Sequence, residues 1–170
     1  TFSYPPNIDA ATELVRDVFP LVRREMPNAT VDLVGREPAD EVLALHAPDG
    51  GVNVVGAVPD MHPYLDRSLA LVVPLRAGGG TRLKILEAMA AGLPVVSTPK
   101  GAEGIRATPG EHLVIGRSVA DLASAVIRIH REPTWASNMA AAARALVAES
   151  YGEAALDGAI DQAVDELGLL

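Results

Sequence analysis

A chain of 170 residues with 49% apolar content is long enough to bury a core, and at 4% aromatics that core has to be built mainly from Val, Leu, Ile and Ala. The absence of cysteine excludes disulfides, thiolate metal sites and a cysteine nucleophile, and fits a reducing compartment. A net charge of −8 argues against general nucleic-acid binding, which needs a basic face. The apolar stretches fall short of the roughly 20 residues that span a bilayer, and no signal peptide is visible, so a cytoplasmic protein is expected.

In chain order, the spacing of Ala10, Leu14, Val18 and Leu21 predicts a helix over residues 9–24, capped by Asn7 and ended by Pro27-Asn28. Residues 31–34 read as a short strand closed by Gly35, residues 38–46 as a short helix, and residues 52–55 as a second strand closed by Gly56. A helical turn or two follows over 60–67. The uninterrupted apolar run over 69–73 suits a strand buried on both faces. A helix over 81–91, ended by Gly92, leads to a strand at Val95-Val96, and residues 112–115 form the last strand. Helices are then expected over 119–131, 134–149 and 153–167, punctuated by Pro133 and Gly152.

Short strands alternating with helices imply an α/β, Rossmann-like fold: a parallel sheet with helices on both faces. Ligands in such sheets sit beyond the carboxyl ends of the strands, which directs attention to Gly35-Arg36 and to residues 56–61, 75–80 and 98–104. Residues 1–7 read as the loop after a strand, and no strand precedes them, so the leading strand of the sheet is expected to be missing.

The informative stretch is residues 74–105, PLRAGGGTRLKILEAMAAGLPVVSTPKGAEGI. Gly78-Gly79-Gly80 lets the backbone approach a ligand closely, and the helix expected from Thr81 turns its unpaired amides toward that loop, forming an anion site. Between Pro74 and Gly101 the net charge is +3, against −11 for the rest of the chain, and both lysines of the protein, Lys84 and Lys100, lie there. Arg82 and Lys84 in a first helical turn oppose the macrodipole by about 0.3–1 kcal/mol each unless an anion binds; they are also ordinary helix formers. Glu87 shares the apolar side of the helix with Leu83, Ala90 and Ala91, so it is expected either in a buried salt bridge, with Arg82 or Lys84 as partner, or as a carboxylate accepting two sugar hydroxyls. His46, His62, His112 and His130 are scattered, and nothing resembles a metal cluster.

The segment over residues 74–96 resembles the donor-binding signature of the retaining, family-four glycosyltransferases of the two-Rossmann GT-B type, in the bacterial branch reading P-L-R-x-G-G-G-T-R-L-K-x-L-E-A-M-A-x-G-x-P-V-V. Tyr4-Pro5-Pro6-Asn7, Leu33-Val34-Gly35, residues 56–60, residues 97–104 and Pro109-Gly110-Glu111-His112 match in the same order. The resemblance implies one C-terminal, nucleotide-sugar-binding domain over residues 1–170 that supports glycosyl transfer to a sugar, lipid or other acceptor. The acceptor site would be completed by an N-terminal domain, the only route to any peripheral membrane association, and the chain alone would be largely inactive. It further implies that Glu87 holds the ribose, that Gly78, Gly79, Gly80, Thr81 and Arg82 lie along the diphosphate and donor sugar, that Lys84 assists the phosphates, and that Gly56 and Val58 face the nucleobase. Arg82, Lys84 and Glu87 would thus carry the catalytic contribution, with no metal or other cofactor. Two departures stand out: Gly79 occupies the position of an acid that contacts the donor sugar, and the basic residues of the family's first phosphate loop have no match in residues 4–7, leaving Arg76, Arg82 or Lys84 to substitute. Competing readings are a nucleotide-sugar epimerase or phosphorylase-like enzyme of the same fold, and a non-catalytic nucleotide-binding module.

Overall fold

The computed structural model describes residues 1–80 and 82–151, so Thr81 and the helix expected over 153–167 lie outside the described residues. Five parallel strands alternate with helices. β1 (Val31–Val34) pairs with β2 (Val52–Gly56), and β3 (Leu71–Val73), β4 (Val95–Ser97) and β5 (Val114–Ile115) form a second ladder in that order. The single sheet expected from the sequence is thus two parallel ladders, with no hydrogen-bonded pairing of β1 to β3 among the described residues.

The chain opens with one continuous helical stretch: α1 (Pro5–Glu13), a π turn (Leu14–Val18) and α2 (Phe19–Glu25). This corrects the expected start. Pro5 and Pro6 supply the fixed φ that suits the first helical positions, Tyr4 is the cap residue, and Asn7 lies inside the helix. Asn7 donates from Nδ2 to the Thr1 carbonyl at 2.6 Å instead of capping. The π turn has an identifiable cause. Pro20 lacks an N–H, and its ring would strike the Arg16 carbonyl in a regular α-helix; widening the turn just before it relieves that clash.

Three apolar clusters stabilise the fold. Val95 and Val96, neighbours on β4, belong to different clusters because successive strand residues point to opposite faces. Val95 packs with Ile85, Ala88 and Met89 of α5 (Leu83–Ala90), and Val96 packs with Leu122, Val126 and Ile129 of α6 (Val119–Arg131). Helices therefore cover both faces of the ladder. A third cluster, Ala11, Leu33, Val42 and Leu45, joins β1 to the short α3 (Asp40–Leu43). The first helix contributes to all three, through Ala10, Val18 and Ala11 respectively. α4 (His62–Arg67) and α7 (Pro133–Tyr151) complete the set, and no helix among the described residues is long and apolar enough to cross a membrane.

β3 is shorter than the apolar run that predicted it: Leu69 is exposed and the ladder begins at Leu71. Beyond β4 the chain turns tightly against β3. Ser97, fully buried, donates from Oγ to the Val73 carbonyl, and the Gly101 amide donates to Thr98 Oγ1 at 2.9 Å. A Cβ on Gly101 would stand 2.7 Å from the Val73 carbonyl oxygen and 2.3 Å from Ser97 Oγ, so this crossing admits only glycine. Gly101→Ala is expected to cost about 1–3 kcal/mol through overpacking, measured as a lowered urea midpoint with unchanged m-value.

Candidate functional site

The loops after β3 and β4 come together at the start of α5, and the residue joining them is Arg82. Its guanidinium is buried and donates to the carbonyls of Gly79 at 3.1 Å, Gly78 at 3.0 Å and Lys100 at 3.2 Å. This corrects the expectation of an Arg82 lying in the first turn as a phosphate ligand. It is the cap residue, α5 begins at Leu83, and the side chain folds back to pin the glycine loop. Its Nε has no hydrogen-bond partner among the described residues.

Gly78 and Gly80 hold φ of +96° and +93°, a region that side chains rarely adopt. A Cβ on Gly78 would press on Tyr4 and Pro6, while at Gly79 and Gly80 it would meet nothing within 4 Å. The loop is therefore packed against the chain opening on one side and open on the other. At the start of α5, no protein acceptor among the described residues takes the amides of Leu83 or Lys84; the first helical bond is Ile85 to the Arg82 carbonyl at 2.9 Å. Leu83 is 59% exposed. Among the described residues, these two amides at the helix opening are thus left without a protein acceptor. Thr81, assigned to this seat from the sequence, lies outside the described residues.

Lys84 has no carboxylate within ion-pair distance among the described residues. Its Nζ donates to Asn7 Oδ1 at 3.3 Å, a neutral partner, and burial of the ammonium together with the nearby Arg82 charge pulls its pKa below the ordinary lysine value. Arg76, the other candidate for a phosphate contact, is occupied: it pairs with Asp9 and, at 3.0 Å, with Glu13, tying α1 to the loop after β3. Glu13 itself is pushed up by burial, an effect that the Arg76 charge opposes.

Glu87 is exposed, which overturns both the apolar side and the buried salt bridge expected for it. The buried line of α5 runs through Ile85, Ala88 and Met89; Leu83, Glu87 and Ala90 lie on its outer side. Glu87 makes no ion pair or side-chain hydrogen bond among the described residues. β2 ends at Gly56, with φ +80°, and the loop after it runs through half-buried Val58 to Asp60 and His62. There His62 bonds Asp60 through Nδ1 at 2.8 Å, and the Glu87 charge is among those that His62 senses.

That Asp60–His62 pair is a feature the sequence reading passed over, because an isolated histidine carries no signal; its i, i+2 acid does. The hydrogen bond to Asp60 holds the His62 imidazole above the ordinary 6.5, with smaller help from the Asp66 and Glu87 charges. Because the folded value is raised, the pair's contribution to stability is full below the unfolded pKa and fades as pH rises through the folded one. Replacing Asp60 by Asn is expected to lower the His62 titration midpoint toward 6.5, read from its ring proton shifts by NMR.

Residues 1–132 match the family described as Glycosyl transferases group 1. A relative from Klebsiella pneumoniae, an uncharacterized 44.6 kDa protein in the cps region, is 27% identical over 156 residues, covering 86% of this chain and 40% of its own length. The chain therefore spans less than half of that relative. Among solved structures, Staphylococcus aureus TarM, a point mutant in complex with fondaparinux, alpha-GlcNAc-glycerol and UDP, superposes with a TM-score of 0.72 at 19% identity, covering 93% of this chain and 33% of its own. HepE of Anabaena in complex with UDP and glucose gives 0.72 at 17% identity, covering 95% and 52%. Sucrose-phosphate synthase from Thermosynechococcus elongatus gives 0.68 at 23%, covering 91% and 43%. At these identities the superpositions establish a shared α/β fold, and with the family match over residues 1–132 the chain belongs to the group 1 glycosyl transferases.

Proposed function

We propose that this chain is the donor-binding, C-terminal domain of a retaining glycosyltransferase, with a nucleoside-diphosphate sugar as its ligand and the diphosphate seated at the opening of α5. The observation that carries the reading is that, among the described residues, the Leu83 and Lys84 amides have no protein acceptor and the Lys84 ammonium has no acid to neutralise it. Amides at a helix opening, beside an ammonium met by a neutral oxygen instead of a carboxylate, suit an anion. The group 1 family match supports it, as do the bound UDP of the TarM and HepE structures, which share this fold.

In this reading the residues divide the work. Cleaving the bond between the anomeric carbon and the diphosphate leaves negative charge on the leaving group, and preplaced donors lower that barrier. Lys84 and the helix amides supply the charge stabilisation, so the step calls for no metal ion. Arg82 positions the glycine loop instead of touching phosphate, and Gly79 and Gly80 let the diphosphate approach the backbone. Glu87, exposed on the outer side of α5, accepts the ribose hydroxyls, and the Gly56 and Val58 loop lies against the base. The acceptor would be bound with a second domain, in keeping with a chain that spans 40% of its Klebsiella relative.

Calorimetric titration with UDP, GDP and ADP tests this. One of the three is expected to bind, and Lys84→Met is expected to weaken it by about ten- to a hundredfold, the effect of one charged hydrogen bond, with a shallower salt dependence. Glu87→Ala is expected to cost a comparable factor without changing the salt dependence. Binding of none of the three, or full affinity in both variants, would overturn the proposal.

A further inference from the structure

A cavity of about 400 Å³ adjoins the opening of α5 and shares Gly80 and Arg82 with it. Its other polar walls are Glu103 and Gly104, and Leu86 and Tyr151 form its apolar side. An added Cβ at Gly80 or Gly104 would meet nothing within 4 Å, so on these walls backbone groups are open to a ligand. Glu103 is the sole carboxylate lining the cavity among the described residues, and its side chain is 58% exposed. Its Oε2 lies 2.5 Å from Lys100 Nζ and 4.0 Å from Arg82 Nη2. Hydrogen bonding to Lys100, then the Lys100 and Arg82 charges, hold its carboxyl below the ordinary range, which keeps it an acceptor with spare lone pairs. Tyr151 is 40% exposed, and its phenolic oxygen accepts the Arg106 amide at 3.1 Å, which fixes the ring at the rim.

A fixed carboxylate, open backbone groups and an aromatic face form a set with a recognisable use. A polyhydroxylated ring has hydroxyls that need acceptors and a C–H face that packs on an aromatic side chain. The volume suits one such ring. Its place matters as much as its lining, because whatever is attached to a diphosphate at α5 has to extend into the neighbouring space. We infer that this cavity receives the sugar of the donor, and that Glu103 is the residue that reads its hydroxyls. The inference rests on the diphosphate seat proposed above and adds to it a specificity-determining residue in the loop after β4.

A purely structural Glu103 would serve only to balance Lys100 and Arg82, and the two roles predict different results. Glu103→Gln keeps the size of the side chain and removes its charge. Titrations of the full-length protein would pair UDP with UDP-glucose, GDP with GDP-mannose, and ADP with ADP-glucose. The affinity of the free nucleoside diphosphate is expected to be unchanged or higher, since a negative charge near the seat is gone. The ratio of conjugate to free affinity is expected to fall about tenfold for the conjugate that the wild type accepts. Tyr151→Leu, which leaves the charges alone, is expected to lower the same ratio by a smaller factor. An equal loss for the free and conjugated forms would make Glu103 a brace and overturn the inference; so would an unchanged ratio in both variants. A wild type that binds no nucleoside diphosphate would overturn the seat itself, and this inference with it.

Discussion

Arg82 is a buried cation whose charge is met mainly by peptide dipoles. Its carboxylate neighbour, Glu103, stands 4.0 Å away, while three carbonyls lie at 3.0–3.2 Å. Burying a guanidinium costs several kcal/mol unless it is well bonded, and these carbonyls offset that cost only if two loops keep their shape. The interaction therefore works in both directions. Arg82 holds the loops after β3 and β4 together, and those loops keep Arg82 satisfied. It also sets polarity. In a planar peptide the C=O and N–H point opposite ways, so turning the Gly78 and Gly79 carbonyls inward to Arg82 turns the following amides away from it, leaving the exposed side of the loop rich in donors.

The cations of this region are not equivalent, although composition alone makes them look so. Arg76 is taken by Asp9 and Glu13, Arg82 by the glycine loop, and Lys100 by Glu103. Lys84 remains, and among the described residues it faces only the amide oxygen of Asn7. A local excess of positive charge thus reduces to one ammonium and the amides beside it. The +3 window also overstates the imbalance, since Glu103 stands two residues beyond its edge.

Much of the fold was legible because each strand after the first helix is a short β-branched run bracketed by glycine or proline, and all five fall close to their expected places. What the sequence obscured were features decided by tertiary context. α5 is apolar on nearly every side, so spacing alone put Glu87 on an apolar side with Leu83, Ala90 and Ala91, whereas packing buried Ile85, Ala88 and Met89. Arg82 beside three glycines suggested a ligand contact; its rotamer, which no pattern encodes, sends it to the backbone. Asn7 resembled a cap because the helical competence of Pro5-Pro6 was overlooked. Glu103 and Tyr151 are 48 positions apart, and only the course of α7 brings them to one cavity.

The first helix has a mechanical consequence. It enters all three apolar clusters and is widened by a π turn between its halves, so the half before the turn and the half after it cannot slide independently without changing the packing of the whole domain. Asn7, on the leading half, steadies the Lys84 ammonium, and Asp9 and Glu13 on the same half grip Arg76. A displacement of that half by a fraction of a helical turn would carry its contacts to Lys84 and Arg76 with it. The amino-terminal edge of the domain is thereby built as a lever whose short arm ends beside the helix mouth.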